Sequence, residues 1–347
     1  MAKKVTRKRH AWIRHAVGAS ITLICLAAIA WQINATEVLD AIEHFHWIYL
    51  GWGICALAAD YALRIFRWSI MLRSAGVSAS FENCAAPFLG SITLNNILPL
   101  RLGDVVRALI FPRAMGATKT AATSSLVMER LIDLMTLLLC LTIGLSAASA
   151  AAIPPSLVTT AITMAVVGGL MLSFGFLFSG KLAQFFERFG QRTSTQVWRG
   201  LLSKTSFAVS GLLGSFEAMS RPKVLAALLA ISMLIWIGEA GLFYFVLLGF
   251  GVEAKITTAV LVMALATLST LIPSSPGYIG PFHLAAFFAI SLTGGSTALA
   301  GSYAVLVHLA LWLPTTIVGA IAMWASPALF SAARSDEGML VEKSENI

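Results

Sequence analysis

Charge is scarce in this sequence. Of 347 residues, 24 are Lys or Arg and 16 are Asp or Glu, together 12%, about half the share of a soluble domain. Cysteine is scarce too: Cys25, Cys55, Cys84 and Cys140 all sit in apolar segments, without a CxxC or a His/Cys cluster. That excludes a disulfide framework and a zinc module, and the four thiols read as small buried hydrophobes. No run alternates apolar and polar residues as a membrane barrel strand does. Ser/His/Asp sets, nucleotide-binding loops and metal-ligand spacings are absent, so no cofactor and no metal are expected. No basic patch is interleaved with stacking aromatics in a soluble module, which excludes nucleic acid as a partner. What is abundant is apolar sequence: 58% hydrophobic residues and a mean hydropathy of +0.84. The chain reads as an all-α polytopic membrane protein.

The few charges are unevenly placed, and their positions predict topology. The basic N-terminus, 1–15, precedes an apolar run at 16–33 that is too long for a signal peptide and lacks a small-residue cleavage site; it reads as an uncleaved first helix. The loop 34–47 holds Glu37, Asp40 and Glu43 without Lys or Arg, as an outer loop should. Further spans are expected at about 47–72, 120–148, 157–178, 223–249 and 297–325. The stretch 179–223 is rich in Lys and Arg and faces inward. Its segment 181–219 has roughly helical apolar spacing; it either lies on the inner membrane surface or packs on the protein. The topology closes only if 83–115 and 256–293 each enter and leave on one side, as re-entrant helical hairpins with arms too short for the ~20 residues of a span. The expected protein is a multi-pass inner-membrane protein with six spanning helices, two re-entrant hairpins, and both termini cytoplasmic, including the polar tail 326–347.

The hairpins belong to an internal repeat. Gly76-Val77-Ser78-Ala79 aligns with Gly251-Val252-Glu253-Ala254, Asp60 with Glu239, Pro99 and Gly103 with Pro273 and Gly277 (or Pro276 and Gly280), and Gly116-Ala117-Thr118 with Gly295-Ser296-Thr297, all at offsets of 174 to 179 residues. The units are 47–149 and 222–325, preceded by the first helix and outer loop, 16–46, and separated by the fourth helix and connector, 150–221. The first helix of one unit runs inward and that of the other outward, so the repeats are inverted, the architecture of alternating-access transporters.

Candidate functional residues gather at the hairpin turns and in two helices. In the first hairpin Pro99 and Gly103 break the helix, Asn95 and Asn96 offer amides, and Arg101 and Arg107 offer forked donors suited to a phosphate. Asp104 can orient an arginine or receive a cationic headgroup. Glu129, Arg130 and Asp133 lie about 14 Å into their helix, where three charges would cost about 8–10 kcal/mol unless paired or hydrated. Arg130–Asp133 pairing is expected, with Glu129 held by Arg101 or Arg107. Asp60 and Arg64 are i,i+4 neighbours, Arg67 is expected to snorkel to the inner interface, and Glu239, with no local cation, is the candidate titrating carboxylate. The second turn brings Pro273, Ser274, Ser275, Pro276, Gly277, Gly280 and Pro281, followed by His283. His283 and His308 are each either hydrogen-bonded helix glue or proton carriers.

Taken together, Asn95-Asn96-x-x-Pro99-x-Arg101-x-Gly103-Asp104-x-x-Arg107, Glu129-Arg130-x-x-Asp133 and Pro276-Gly277-x-x-Gly280-Pro281 resemble the transmembrane region of the lysylphosphatidylglycerol synthase/flippase family, over about 20–325. That family includes free-standing flippase-like membrane proteins, some linked to hopanoid or other lipid transport. The resemblance implies lipid translocation through a cavity lined by the hairpin residues, with a membrane lipid as substrate. Departures are Asp104, where Glu is more usual, and His283. The soluble aminoacyl-transfer domain that makes lysyl-lipid has no counterpart in these residues, so a synthase activity is not implied. The outer loops 34–47, 149–156 and 249–256 are too short for a catalytic domain, and the expected protein is not an enzyme. The competing readings are a polytopic glycosyltransferase using lipid-linked donors and a membrane partner subunit; homo-oligomerisation is left open.

Overall fold

The computed structural model describes residues 20–31, 35–147, 199–272 and 274–329, with scattered positions between 156 and 184. The basic N-terminus, most of the expected fourth helix, the connector up to 198, Pro273 and the last 18 residues, 330–347, lie outside the described residues. Every described element is helical: α1 (Ser20–Ala30), α2 (Ala35–Glu43), α3 (Trp47–Ser74), α4 (Phe81–Ile97), α5 (Leu102–Leu109), α6 (Lys119–Ala147), α7 (Arg199–Met219), α8 (Pro222–Gly249), α9 (Ile256–Ser269), α10 (Pro281–Leu292) and α11 (Thr297–Trp324).

Local chemistry sets many of the boundaries. Ser80 Oγ accepts the Asn83 N–H at 3.2 Å to start α4, and Ser296 Oγ accepts the Leu299 N–H at 3.2 Å to start α11, satisfying N–H groups that have no helical partner. Pro222 and Pro281 open α8 and α10, where a missing N–H costs nothing. Three of these helices are long and apolar enough to cross a membrane: α3, α8 and α11, each of 28 residues. α6 is 29 residues long but carries Glu129, Arg130 and Asp133 at its middle, so its apolar character is broken. The expected outer loop contains the helix α2, which rests on α11. Of the connector, α7 is described, and it packs on α6, with Ser124 Oγ donating to Leu212 O at 2.7 Å. Cys84 and Cys140 are buried as expected, whereas Cys55 is exposed.

The packing is reciprocal. α3 and α8 lie along each other, α4 packs on α11, and α9 packs on α6. A large apolar core joins α8, α9, α10 and α11, centred on Phe243, Leu261, Phe282 and Tyr303. A smaller one joins α3 to α4 through Trp68, Leu72 and Phe88. Outward-facing positions are apolar as well: Trp52 and Phe66 on α3, Leu234 and Ile237 on α8, Ile317 and Ile321 on α11 are all exposed, a surface suited to lipid rather than water.

Each expected hairpin is a pair of short helices, α4–α5 and α9–α10, of 17, 8, 14 and 12 residues. The first turn is not made as the Pro/Gly pattern suggests. Its left-handed residues are Leu100 (φ 60°) and Arg101 (φ 53°), a conformation side chains rarely adopt. Gly103 is needed for closeness instead: a Cβ there would collide with Ser91 O on α4 and meet Asn95 N at 2.8 Å. In the second turn Gly277 (φ 75°) and Gly280 (φ 101°) supply the left-handed geometry, together with Tyr278 (φ 59°). Gly103→Ala is therefore expected to push the two arms apart at a cost of about 1–3 kcal/mol and lower the unfolding midpoint in detergent, while Gly51→Ala, with nothing within 4 Å, leaves it in place; circular dichroism on both variants checks this.

Candidate functional site

The charged residues of the apolar bundle converge on one region. On α3, Asp60, Arg64 and Arg67 are spaced four and three apart and share a face. Asp60 is fully buried and accepts from Arg64 Nε at 2.8 and 3.1 Å. Arg64 Nη2 also donates to Glu239 Oε2 on α8 at 2.5 Å, and its guanidinium lies 4.9 Å from the Trp236 ring. Glu239 thus has a cation that spacing along its own helix could not reveal. Its other oxygen accepts from Thr267 Oγ1 on α9 at 3.0 Å.

Arg67 does not snorkel. It is 0% exposed and donates to both oxygens of Asp133 at 2.6 and 3.1 Å, and to Ser232 Oγ at 2.7 Å. Asp133 is therefore taken by α3, and the expected Arg130–Asp133 pair is replaced. Arg130 donates instead to both oxygens of Asp104 at 3.0 and 2.9 Å. The fork of Arg67, Nη1 on one Asp133 oxygen and Nη2 on the other, outranks a local i,i+3 contact from Arg130 because it satisfies two lone pairs in fixed geometry. Glu129 is held by Arg107 at 2.8 Å, one of its two expected partners. Arg107 is 1% exposed and sits over the rings of Phe88 and Trp68 at 4.6 and 5.4 Å. Asn95 locks the first turn: its amide donates to Asp104 Oδ1 at 2.9 Å and its carbonyl accepts the Asp104 N–H at 3.1 Å.

These groups surround a cavity of about 280 Å³. Asn95, Asn96, Arg101, Arg130, Asp133 and Glu239 of the expected site line it, with Tyr61, Arg64, Thr267, Thr270, Tyr278 and Trp312. Leu134, Leu137, Leu268 and Leu271 form its apolar wall. Arg107, Asp104 and Glu129 do not line the cavity; Asp104 is held by the lining residues Asn95 and Arg130. A second hollow of about 230 Å³ adjoins, between the two turns; Arg101, Ser274 and Ser275 line it. Ser275 is further tied to α1, its N–H donating to Thr22 Oγ1 at 3.1 Å. His283 lines neither; its ring lies 4.5 Å from that of His308, whose Nε2 is 2.7 Å from Gly277 O. Asn96 donates to Thr315 and Thr316 on α11 at 3.2 and 2.9 Å, tying the first turn to the far helix.

Arg101 differs from the other four guanidiniums. Among the described residues it meets no carboxylate: its Nη2 donates to Thr270 Oγ1 at 2.6 Å and its plane lies 5.5 Å from the Tyr278 ring. Its Nε is buried and unpartnered. The two turns therefore meet through one half-buried cation that retains donor capacity toward an anion.

A larger hollow, about 740 Å³, lies at the other end of α9 beside Glu37, Asp40, His44, Glu253 and Lys255, away from this network. There His44 Nδ1 bonds Asp40 O at 2.9 Å, and that bond and the Asp40 carboxylate raise the imidazole pKa above its ordinary value. Size alone does not select the site; converging buried charge does.

The sequence profile of the lysylphosphatidylglycerol synthase transmembrane region matches residues 15–319. The chain belongs to that family. It is 22% identical over 313 residues to one UPF0104 membrane protein of Methanothermobacter thermautotrophicus, covering 86% of this chain and 89% of that protein, and 25% identical over 274 residues to another, covering 75% and 80%. It is also 24% identical over 336 residues to the glycosyltransferase AglD of Haloferax volcanii, covering 88% of this chain but only 53% of AglD. No solved structure matches.

Repeat alignment had marked Asp60 and Glu239 as counterparts, and both bind Arg64. Thr267 and Thr270, six and three residues before Pro273, carry no signal of their own as lone threonines in an apolar helix. Asp133→Asn is expected to leave Arg67 buried without a counter-charge and to destabilise the protein by about 3–5 kcal/mol, with Arg67→Met plus Asp133→Leu recovering most of it. Unfolding in detergent of the single and double variants measures this; equal losses would contradict it.

Proposed function

We propose that this protein moves a polar, phosphate-bearing lipid between the leaflets of a cell inner membrane, and that it is a transporter rather than an enzyme. The observation that supports this best is Arg101: a guanidinium that meets no carboxylate among the described residues, at the meeting point of two helical turns, facing a cavity lined by both charged and leucine side chains. The headgroup phosphate takes the free donors of Arg101, with Asn95 and Asn96 close by. The tails run past Leu134, Leu268 and Leu271 into lipid.

In this reading α4–α5 and α9–α10 are re-entrant hairpins of two inverted repeats, 47–149 and 222–325. Six helices span the membrane, and the basic segments hold both termini in the cytoplasm. The reciprocal packing of α4 on α11 and α9 on α6 supports the repeats, since a pseudo-two-fold axis pairs contacts in this way. Pro99, Gly103, Gly277, Gly280 and Pro281 shape the turns between which the headgroup passes. Arg107, Glu129 and Asp104 brace the first turn rather than touch the lipid, and Arg130 braces it from the cavity lining through Asp104.

The similarity to AglD favours a second reading, a glycosyltransferase-like use of lipid-linked donors, although this chain matches only about half of that protein. Product formation by the purified protein with a lipid-phosphate sugar would select it. For the transporter, proteoliposomes carrying a fluorescent acidic phospholipid are expected to lose inner-leaflet signal over time. Arg101→Ala slows the exchange about 10- to 100-fold, the worth of charge-assisted hydrogen bonds, and Arg101→Lys restores part of it. Wild-type flux in Arg101→Ala rejects the assignment.

A further inference from the structure

Among the described residues the formal charges of the interior balance in total but not locally. Arg107 and Arg130 face Asp104 and Glu129, two against two. Arg67 faces Asp133, one against one. What remains is Arg64, shared by two carboxylates, Asp60 and Glu239, and Arg101, which meets none among the described residues. The cavity therefore holds one surplus negative charge on its α3–α8 side and one surplus positive charge at the turns. While the cavity holds no lipid, each offsets the other through a medium of low dielectric.

An anion that neutralises Arg101 removes that offset and leaves a buried carboxylate in excess. An uncompensated charge inside an apolar bundle is costly, and the site returns to neutrality by taking up a cation. One helix joins the two ends. Thr267 Oγ1 donates to Glu239 at 3.0 Å, and Thr270 Oγ1, three residues on, accepts from Arg101 at 2.6 Å. An anion on Arg101 competes with Thr270 for the guanidinium and so acts on the turn of α9 that also holds Glu239.

We infer that binding of a monoanionic phosphodiester headgroup at Arg101 is accompanied by uptake of one proton on the Asp60–Glu239 pair, so that lipid and proton travel as a neutral unit. The inference rests on the headgroup reading of Arg101. The proton comes from hydronium in the water on the side where the lipid loads: one hydronium O–H bond breaks, leaving water, and one O–H bond forms on a carboxylate oxygen; no other covalent bond changes. The pair's surroundings allow this assignment. Arg64 and Tyr61 face it from α3, and Asp133 and Arg130, both already paired, line the cavity from α6. Tyr278 lies at the second turn, and phenols are ordinarily un-ionised near neutral pH. His308 on α11 also lines the cavity and is the rival proton acceptor.

The test is a titration of purified full-length protein in detergent with dihexyl phosphate, a phosphodiester that stays monoanionic near neutral pH, in weak buffer with an indicator dye. Wild type is expected to take up one proton per phosphodiester bound. Glu239→Gln and Asp60→Asn each leave one carboxylate on Arg64, so each brings the ratio to zero; two variants guard against a single folding failure. His308→Gln keeps the ratio at one. Binding through Arg101 without proton uptake, uptake that survives both carboxylate variants, loss only in His308→Gln, or a sodium requirement in place of the proton overturns the inference. Binding that is absent, or unchanged in Arg101→Ala, overturns the headgroup reading itself and the inference with it.

Discussion

A guanidinium inside an apolar bundle has to be held by carboxylates that other helices bring to it, and in this protein that requirement organises the whole interior. Arg67 on α3 is closed by Asp133 on α6, Arg64 on α3 by Glu239 on α8, and Arg107 on α5 by Glu129 on α6. Each bond crosses from one helix to another, so the ion pairs fix how α3, α5, α6 and α8 sit together. Removing either partner strands the other, which makes the arrangement all-or-none. The apolar contacts around Phe243 and Trp68 fill space; the charges select which packing is allowed.

The same constraint gives Arg101 its meaning. Its backbone stands in a strained left-handed turn beside Leu100, and its side chain reaches the other turn through Thr270 and Tyr278. Such strain is kept where the surroundings over-determine it and function uses it. Asn95, bridging the first turn through Asp104, and Asn96, tying it to α11, supply that over-determination. The result is a cation presented by rigid neighbours at the edge of a cavity, the arrangement that lets binding energy go to the ligand rather than to ordering the site.

Much of the candidate site was legible as residue types. Arg101, Asn95, Glu129 and Asp133 stood out because charge and amides are expensive in apolar helices. The pairing was not legible. Local spacing offered Arg130–Asp133, and the fold gave Arg130–Asp104 and Arg67–Asp133. Glu239 looked solitary because its cation lies 175 residues away in sequence. Gly103 reads in the sequence as a helix breaker, whereas its requirement comes from α4 passing too close for a Cβ. The threonines of α9 and the aromatic faces under Arg64 and Arg107 carried no sequence signal, since such residues serve in any apolar core.

Composition and charge placement by themselves determined that this is a helical membrane protein, where its helices break and which polar residues are exceptional, because any charge in an apolar helix is costly until it is paired or hydrated. Which carboxylate meets which arginine, which of the charged residues face the cavity, and that Arg101 meets no carboxylate among the described residues were decided only by the tertiary structure. Those facts depend on distances across helices that no local spacing encodes.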